Sequence, residues 1–229
     1  MQVNRTEQKI IIKRTEAARL AHHLGQIMPL DPFCVKGAGY EIRTLYFDTL
    51  ADRCCVEKED GLQVHEKIRA RIYGTDDRVI KLESKKKNGD RQVKRSLLID
   101  RNTLEALCDG EYTPLLRRPE PLAGYFFKKL SAGMFPKAVV QYQRLSYCLD
   151  LNNIRITFDS DIRATEATFD LFQQPLQAHP ILPQDLVILE VKYNNFLLGY
   201  IKNALREVRR SPTSFSKYFN GRSFYRSMI

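Results

Sequence analysis

Basic side chains recur at every second position in several segments of this sequence. Between residues 67 and 73, Lys67, Arg69 and Arg71 alternate with isoleucine and alanine. Alternate residues of a β-strand share a face, so this pattern predicts a strand with one basic and one apolar face. Arginine forks and lysine ammonium groups bind phosphate oxygens, and the chemistry indicated is therefore phosphate recognition.

Single carboxylates stand among the basic residues of these segments. Glu83 lies two residues before Lys85, Glu190 lies two residues before Lys192, and Glu7 belongs to an alternating segment near the N-terminus. A carboxylate of this kind can hold Mg²⁺ or Mn²⁺, which bridges phosphate oxygens. It can also form a salt bridge with a neighbouring lysine, because a carboxylate in an apolar strand needs a partner. Both interpretations are open for the three glutamates.

A predicted set of adjoining strands carries these residues. The strands are predicted at residues 5–13, 43–48, 63–73, 78–86, 92–99, 138–150, 154–159 and 186–193. Helices are predicted at residues 15–28, capped by Thr15, at 100–110, capped by Asp100, and at 122–132 and 196–209. Asn88-Gly89 is a strong hairpin signal. Since the strands follow one another directly, the class expected is α+β with an antiparallel sheet, and not a parallel βαβ fold.

The density of charge on these faces indicates how the sheet is arranged. One alternative is an ordinary sheet with one solvated face and one face packed on helices. However, like charges placed across a sheet repel one another, and many strands carry them here. A sheet rolled up with the charged faces inside would form a basic tunnel, and helices would cover its apolar outside. One domain spanning residues 1–229 is expected from the length.

Composition limits the partners and the compartment. The 229 residues include 37 Lys and Arg against 27 Asp and Glu, a formal charge of +10, so an anionic partner is expected. The candidates are nucleic acid, an anionic membrane, and small polyanions such as nucleotides or polyphosphate. No apolar run approaches the roughly 20 residues of a membrane span, and no signal peptide is visible. A cytoplasmic protein with reduced cysteines is therefore expected.

Taken in order, the charged motifs resemble those of the VTC domain. This is the catalytic domain of the vacuolar transporter chaperone polyphosphate polymerase, in the CYTH-like superfamily of triphosphate tunnel metalloenzymes. The similar segments are residues 5–9 (RTEQK), 67–71 (KIRAR), 81–85 (KLESK), 143–144 (QR), 155–159 (RITFD), 189–192 (LEVK) and 216–218 (SKY). The resemblance covers almost the whole chain.

The resemblance implies an eight-stranded antiparallel β-barrel, the triphosphate tunnel, with peripheral helices. It implies metal-dependent transfer of the terminal phosphate of ATP or another nucleoside triphosphate onto polyphosphate, with Mn²⁺ or Mg²⁺ as cofactor. The residues that match phosphate-binding and catalytic positions are Lys9, Arg69, Arg71, Lys85, Arg144, Arg155 and Lys217. Glu190 matches the metal-binding glutamate, with Glu7 and Glu83 as further metal candidates. Lys94, Ser216 and Tyr142 are additional phosphate-binding candidates.

One departure from the superfamily pattern favours polymer synthesis. The hydrolytic relatives begin with Glu-x-Glu-x-Lys, whereas Arg5 stands here in place of the first glutamate. Two alternatives remain: a tripolyphosphatase or nucleoside triphosphatase, and a non-catalytic module that binds polyphosphate or nucleotides. The eukaryotic proteins add a phosphate-sensing domain and membrane helices that are not expected in this chain, so translocation and a membrane-protein partner are left undetermined.

Three local patterns have a second interpretation. Arg69 and Arg71 could be solvated strand arginines, and Lys217 could be a lysine on a surface helix. The run from Lys85 to Lys87 could form a nucleic-acid patch. Since the interleaved exposed aromatics of a base-stacking platform are missing, nucleic acid is not expected as a partner.

Overall fold

The computed structural model describes residues 5–34, 37–89, 91–208 and 211–226 of the chain. Its strands are β1 (Arg5–Lys13), β2 (Tyr40–Thr49), β3 (Val64–Tyr73), β4 (Asp76–Asn88), β5 (Arg91–Ile99), β6 (Met134–Leu149), β7 (Ile154–Thr165), β8 (His179–Pro180) and β9 (Leu186–Asn194). Its α-helices are α1 (Arg14–Ile27), α2 (Arg53–Glu59), α3 (Arg101–Cys108), α4 (Pro121–Leu130), α5 (Gly199–Leu205) and α6 (Lys217–Arg226). Antiparallel pairing of β1 with β9, β7 with β9, and β2 to β5 in succession confirms the predicted α+β class.

The predicted strands are all present, while the helices differ in detail. Helix α1 begins after Lys13 and not at Thr15, because the Lys13 backbone N–H donates to Glu16 Oε2 at 2.7 Å. Helix α5 is shorter than predicted, since Asn195 adopts a left-handed backbone with φ 58° and the chain turns before the helix begins. The Asp100 cap is confirmed: its Oδ1 accepts the Thr103 N–H at 2.8 Å. Helices α2 and α6 were not predicted.

The sheet does not close into the expected eight-stranded barrel. Hydrogen-bonded strands follow the order β1-β9-β7-β6-β2-β3-β4-β5, with β8 beside β7. In the part of the chain that the structure describes, this order ends at β1 and β5, and no pairing joins the two. Closing a barrel requires the first and last strands to pair in a fixed stagger. Strand β5 carries Lys94 and Arg95, and charged side chains of this kind discourage pairing at a sheet edge.

The chain divides into two compact units. Unit 1 comprises Met1–Glu41, Tyr142–Ile162 and Leu182–Phe215, and its core lies between helices α1 and α5 and the strands β1, β7 and β9. On α1, Leu20 and Leu24 are fully buried at helical spacing. They pack in the same cluster as Ile156 and Leu189 of the sheet. The apolar strand face of unit 1 is therefore covered by helices.

Unit 2 comprises Ile42–Gln141, Arg163–Ile181 and Ser216–Ile229. Leu104 of α3 and Phe126 of α4 are almost fully buried, in one cluster with Ile68, Ala70 and Leu82 of the sheet. Burial of each large side chain contributes about 1.5–3 kcal/mol. In this unit too, helices cover the apolar strand face and leave the charged residues on the other face. No helix within the described ranges has the length and apolar character needed to cross a membrane.

Candidate phosphate-binding and metal-binding faces

Three lysines lie side by side on the charged face of unit 2. Lys67 on β3 is directly opposite Lys85 on β4, and Lys85 is directly opposite Lys94 on β5. We refer to Lys67, Lys85 and Lys94 as the lysine row. Like charges opposite one another destabilise a sheet. The row is therefore an arrangement that an anion would stabilise, and it brings together two predicted phosphate-binding residues, Lys85 and Lys94.

The next two rows of the same face contain more cations than anions. Their members, in register across β3, β4 and β5, are Arg69, Glu83 and Ser96, followed by Arg71, Lys81 and Leu98. Together with the lysine row, these nine positions hold six basic side chains and one carboxylate. The residues predicted at positions 69, 71, 83, 85 and 94 thus lie on one face of one sheet.

Glu83 is the carboxylate enclosed by this group. It is 1% exposed, and its Oε2 lies 2.8 Å from Arg69 Nη2 and 3.8 Å from Arg71 Nη1. Lys94 Nζ lies 2.5 Å from Oε1. Burial by itself would raise the pKa of Glu83, but Arg69, Arg71 and Lys94 outweigh it and lower that pKa to about 2. Because three cationic side chains contact the Glu83 carboxylate, the salt-bridge interpretation of Glu83 is favoured over metal binding.

Tyr46 is a member of this face that the sequence did not reveal. Tyr46 lies on β2, directly opposite Arg69 of β3, and is 6% exposed. Its hydroxyl oxygen accepts a hydrogen bond from Arg69 Nη1 at 3.4 Å. Burial would raise the pKa of Tyr46, but Arg69 and Arg71 dominate and lower it to about 8. The ring stacks on Tyr218 at 4.9 Å between centroids. Only the strand register, which places Tyr46 beside Arg69, could have identified it.

Ser216 joins the lysine row to helix α6. Lys67 Nζ donates to Ser216 Oγ at 2.9 Å, and the same oxygen accepts the Phe219 N–H at 3.3 Å, as a helix cap does. Lys217 is the first residue of α6. The Tyr218 hydroxyl donates to Asp48 Oδ2 at 2.8 Å and fixes this end of the helix. Ser216 therefore lies at the charged face of unit 2, and phosphate contact by Lys217 stays a prediction.

The charged face of unit 1 has a different balance. Its rows across β1, β9 and β7 are Glu7, Lys192 and Arg155, followed by Lys9, Glu190 and Thr157. Lys9 Nζ lies 3.8 Å from Glu7 Oε1 and 3.9 Å from Glu190 Oε1. Lys192 Nζ lies 2.7 Å from Glu190 Oε2. Burial lowers the pKa of Lys192, although Glu190 and Glu7 oppose that effect. Acids and bases alternate here, whereas cations dominate in unit 2.

Two arginines of unit 1 that were predicted to bind phosphate each contact a carboxylate. The first is Arg144. Its Nε and Nη2 donate to the two oxygens of Asp159 at 2.7 Å each, and its guanidinium lies 5.3 Å from the centre of the Tyr142 ring. Burial would lower the pKa of Arg144, but Asp159 holds it well above its usual value. A Cβ on Gly39 would stand 2.5 Å from the Arg144 carbonyl oxygen, so only glycine allows this close approach.

Arg155 is the second of these arginines. Its Nη2 donates to Asp31 Oδ2 at 2.5 Å and to the Tyr40 hydroxyl at 3.3 Å, and its Nε donates to Ser146 Oγ at 3.2 Å. Asp31 lies in the loop between α1 and β2 and belongs to no charged motif, so no sequence pattern indicated this pair.

Glu190 and Glu7 fit a divalent cation. No group of three or more His, Cys, Asp and Glu side chains converges anywhere in the described ranges. Each of the two glutamates has an oxygen within 4 Å of the Lys9 ammonium group, so both carboxylates are near the same side chain. Thr157 is opposite Glu190 and 1% exposed, and its buried Oγ1 has no hydrogen-bond partner. Mg²⁺ is commonly held by one or two carboxylates, with water and phosphate completing its shell, so this donor set is suitable.

Comparison of the sequence with known protein families identifies the family of this chain. The family model described as VTC domain matches residues 4–225. The chain belongs to the VTC domain family. The resemblance inferred from the charged motifs is therefore confirmed over nearly the whole sequence. No curated protein matches this VTC domain significantly.

Several solved structures are similar to this VTC domain at low sequence identity. A candidate adenylate cyclase from Bacillus halodurans is 10% identical, with a TM-score of 0.53 over 93% of this chain and 96% of the other. The PH1819 protein from Pyrococcus horikoshii is 11% identical, with a TM-score of 0.47 over 96% and 99% of the two chains. A candidate adenylate cyclase from Vibrio parahaemolyticus is 10% identical, with a TM-score of 0.43 over 89% and 84%. At such identities, the first of these similarities shows the fold alone.

Proposed function

We propose that this VTC domain is a metal-dependent polyphosphate polymerase that transfers the terminal phosphate of ATP, or of another nucleoside triphosphate, to polyphosphate. Membership of the VTC family supports a role with nucleotides or polyphosphate. Arg5, in place of the first glutamate of the hydrolytic relatives, supports synthesis over hydrolysis.

The lysine row is the observation that carries the proposal. Lys67, Lys85 and Lys94 face one another on adjacent strands, and Arg69 and Arg71 follow on the same face. Across the nine positions of these three rows, six side chains are basic and Glu83 is the one carboxylate. A linear phosphate chain carries a negative charge on each unit and can lie along several cations at once, so it is the class of ligand that this spacing fits.

The residues of unit 2 would act by holding phosphates in place. Glu83 keeps Arg69 in position through two contacts of 2.8 Å, from Nε and from Nη2. The lysines supply ammonium groups without fixed geometry, which suits a chain that must advance by one phosphate per cycle. Phosphoryl transfer depends mainly on positioned phosphates and neutralised charge, and these residues provide both.

The carboxylates of unit 1 would hold the divalent cation. Glu190 and Glu7 are its proposed ligands, and the Thr157 hydroxyl is available to a water of its shell. When bound, the cation would neutralise phosphate oxygens as charge develops on them. Lys9 and Lys192 contact Glu190 in the structure, and these contacts orient its carboxylate.

A product assay tests the proposal. The protein is incubated with ATP and Mn²⁺, and the products are separated on a gel that resolves polyphosphate lengths. A ladder of phosphate chains is the expected result. Release of free phosphate without a ladder would identify a phosphohydrolase, and tight ATP binding without turnover would identify a binding module. Failure to bind ATP or tripolyphosphate would contradict all three.

A further inference from the structure

A cavity of about 370 Å³ lies where β3 begins and β4 ends, at the open end of the β3–β4 hairpin within unit 2. We call it the hairpin cavity. The residues that line it are Gly61, Leu62, Gln63, His65, Lys87 and Gly89. Its size lies within the roughly 300–1,000 Å³ typical of small-molecule sites. None of its lining residues belongs to the phosphate-binding or metal-binding positions described above.

The hairpin cavity continues the charged face of unit 2. His65 is directly opposite Lys87, and the next row on the same face is Lys67 opposite Lys85. Same-face neighbours along a strand are about 7 Å apart. A ligand with phosphates on the lysine row can therefore extend into the cavity without leaving this face.

The lining of the cavity differs in chemistry from the lysine row. Leu62 is 50% exposed and offers an apolar surface, and Gln63 offers an amide that can donate and accept. A Cβ on Gly61 or Gly89 would meet nothing within 4 Å, so both sides are open. Burial, together with Lys67 and Lys87, lowers the pKa of His65, although its contact with the Leu62 carbonyl opposes that effect. Lys87 also lines the cavity and can contact phosphate, while the ring of His65, the side chain of Leu62 and the amide of Gln63 suit a planar heterocycle.

We propose that the hairpin cavity holds the nucleoside part of the nucleoside triphosphate, with the base against Leu62 and the His65 ring. The inference rests on the proposed function, because it assigns the triphosphate of the same molecule to the lysine row. It predicts that the protein distinguishes a nucleotide from a bare phosphate chain through residues that contact no phosphate.

Calorimetry with two ligands tests this assignment. ATP and tripolyphosphate are each titrated into the wild type, into His65→Ala, and into His22→Ala, whose site is an exposed histidine on α1 in unit 1. We expect His65→Ala to weaken ATP binding by about tenfold, in line with the loss of one ring–base contact, and to leave tripolyphosphate binding unchanged. His22→Ala should change neither affinity.

A second measurement does not depend on any substitution. In NMR spectra of the wild type, the His65 ring resonances should shift clearly further on addition of ATP than on addition of tripolyphosphate, which changes only the charge around the ring. The assignment would be overturned if His65→Ala lowered the affinities for ATP and tripolyphosphate equally, or lowered neither. His65 ring resonances that do not move on addition of ATP would also overturn it. If the wild type binds tripolyphosphate but His65→Ala leaves ATP binding intact, only this inference fails. If the wild type binds neither ligand, the proposed function fails with it.

Discussion

At the scale of single residues, the charged face of unit 2 is a set of cations organised by one acid. Glu83 gathers Arg69, Arg71 and Lys94 within 4 Å of its oxygens, and Tyr46 lies beside the same arginines. A buried carboxylate among three cations is ionised, and its own charge offsets only part of theirs. The remaining positive potential affects the pKa of nearby titratable groups, so the ionisation of such a group can be used to measure that potential.

Tyr46 should ionise at an unusually low pH. The arginines lower its pKa from the ordinary value of 10 to about 8, so near-ultraviolet titration of the wild type should show an early tyrosine ionisation near pH 8. Tyr46→Phe should remove this step, and Tyr200→Phe, at an exposed site, should retain it. Bound tripolyphosphate would neutralise the arginines and move the step to higher pH. A Tyr46→Phe variant that keeps the early step would show that the potential at this site is not strongly positive.

Glu83 should make the protein sensitive to acid. Because its folded-state pKa is lowered from 4.5 to about 2, its stabilisation is present above pH 4.5 and is lost as the pH falls from there towards 2. The loss amounts to about 3 kcal/mol, from 1.36 kcal/mol per pKa unit. Free energies of unfolding measured by urea across this range should fall by that much more in the wild type than in Glu83→Gln. Parallel pH profiles of the two proteins would contradict the ion-pair assignment.

Glu190 should control metal binding. Glu190→Gln keeps the size of the side chain but removes its charge, so we expect Mn²⁺ affinity to fall by at least about tenfold and the gel ladder to disappear. Mn²⁺ binding can be followed by electron paramagnetic resonance without any turnover. Glu207→Gln, at an exposed glutamate on the same unit, is the matched control. Wild-type Mn²⁺ affinity in Glu190→Gln would remove this residue from the site.

At the scale of elements, the β3–β4–β5 meander is what converts sequence alternation into a binding surface. Lys85 lies between Lys67 and Lys94 across the strands, whereas Lys86 points to the other face, opposite Glu66 and Val93. Adjacent lysines in one run thus have different surroundings. The difference follows from the two-residue period of a strand and can be tested at constant charge.

Lys85→Ala and Lys86→Ala form a matched pair, because each removes one positive charge from the same strand. We expect Lys85→Ala to weaken tripolyphosphate binding by about tenfold, the usual cost of losing one charge-assisted contact. Lys86→Ala should have little effect when both are measured by calorimetry. Equal losses in the two variants would mean that binding responds to net charge and not to the lysine row.

At the scale of the whole molecule, the net charge of +10 is distributed unevenly over strand faces. Each unit covers its apolar face with helices and leaves a face of ionisable side chains. In unit 2 that face is strongly cationic, while in unit 1 it is nearly balanced. This distribution, more than the total charge, is the basis for proposing a polyanion as ligand of unit 2 and a divalent cation as ligand of unit 1.

Binding of a polyanion by such a molecule should weaken with salt. The screening length falls from about 10 Å at 0.1 M to about 3 Å at 1 M, so tripolyphosphate affinity should drop by roughly tenfold over that range. The Lys85→Ala variant should show a shallower dependence, since it makes one contact fewer. An affinity that salt does not change would indicate recognition by shape or hydrogen bonds rather than by charge.

The sequence by itself determined the strands, their two faces, the α+β class and the family, because alternation and motif order are local properties of the chain. Alternation placed residues 69 and 71 on one face of their strand, and residues 83 and 85 on one face of theirs, whereas Lys94 was identified by the family resemblance. Only the tertiary structure decided which charges meet. Cross-strand register aligned the three lysines and set Tyr46 beside Arg69, and a loop residue, Asp31, became the partner of Arg155. Register and loop placement depend on contacts between distant segments, as does the absence of barrel closure in the described strands, and no local pattern encodes them.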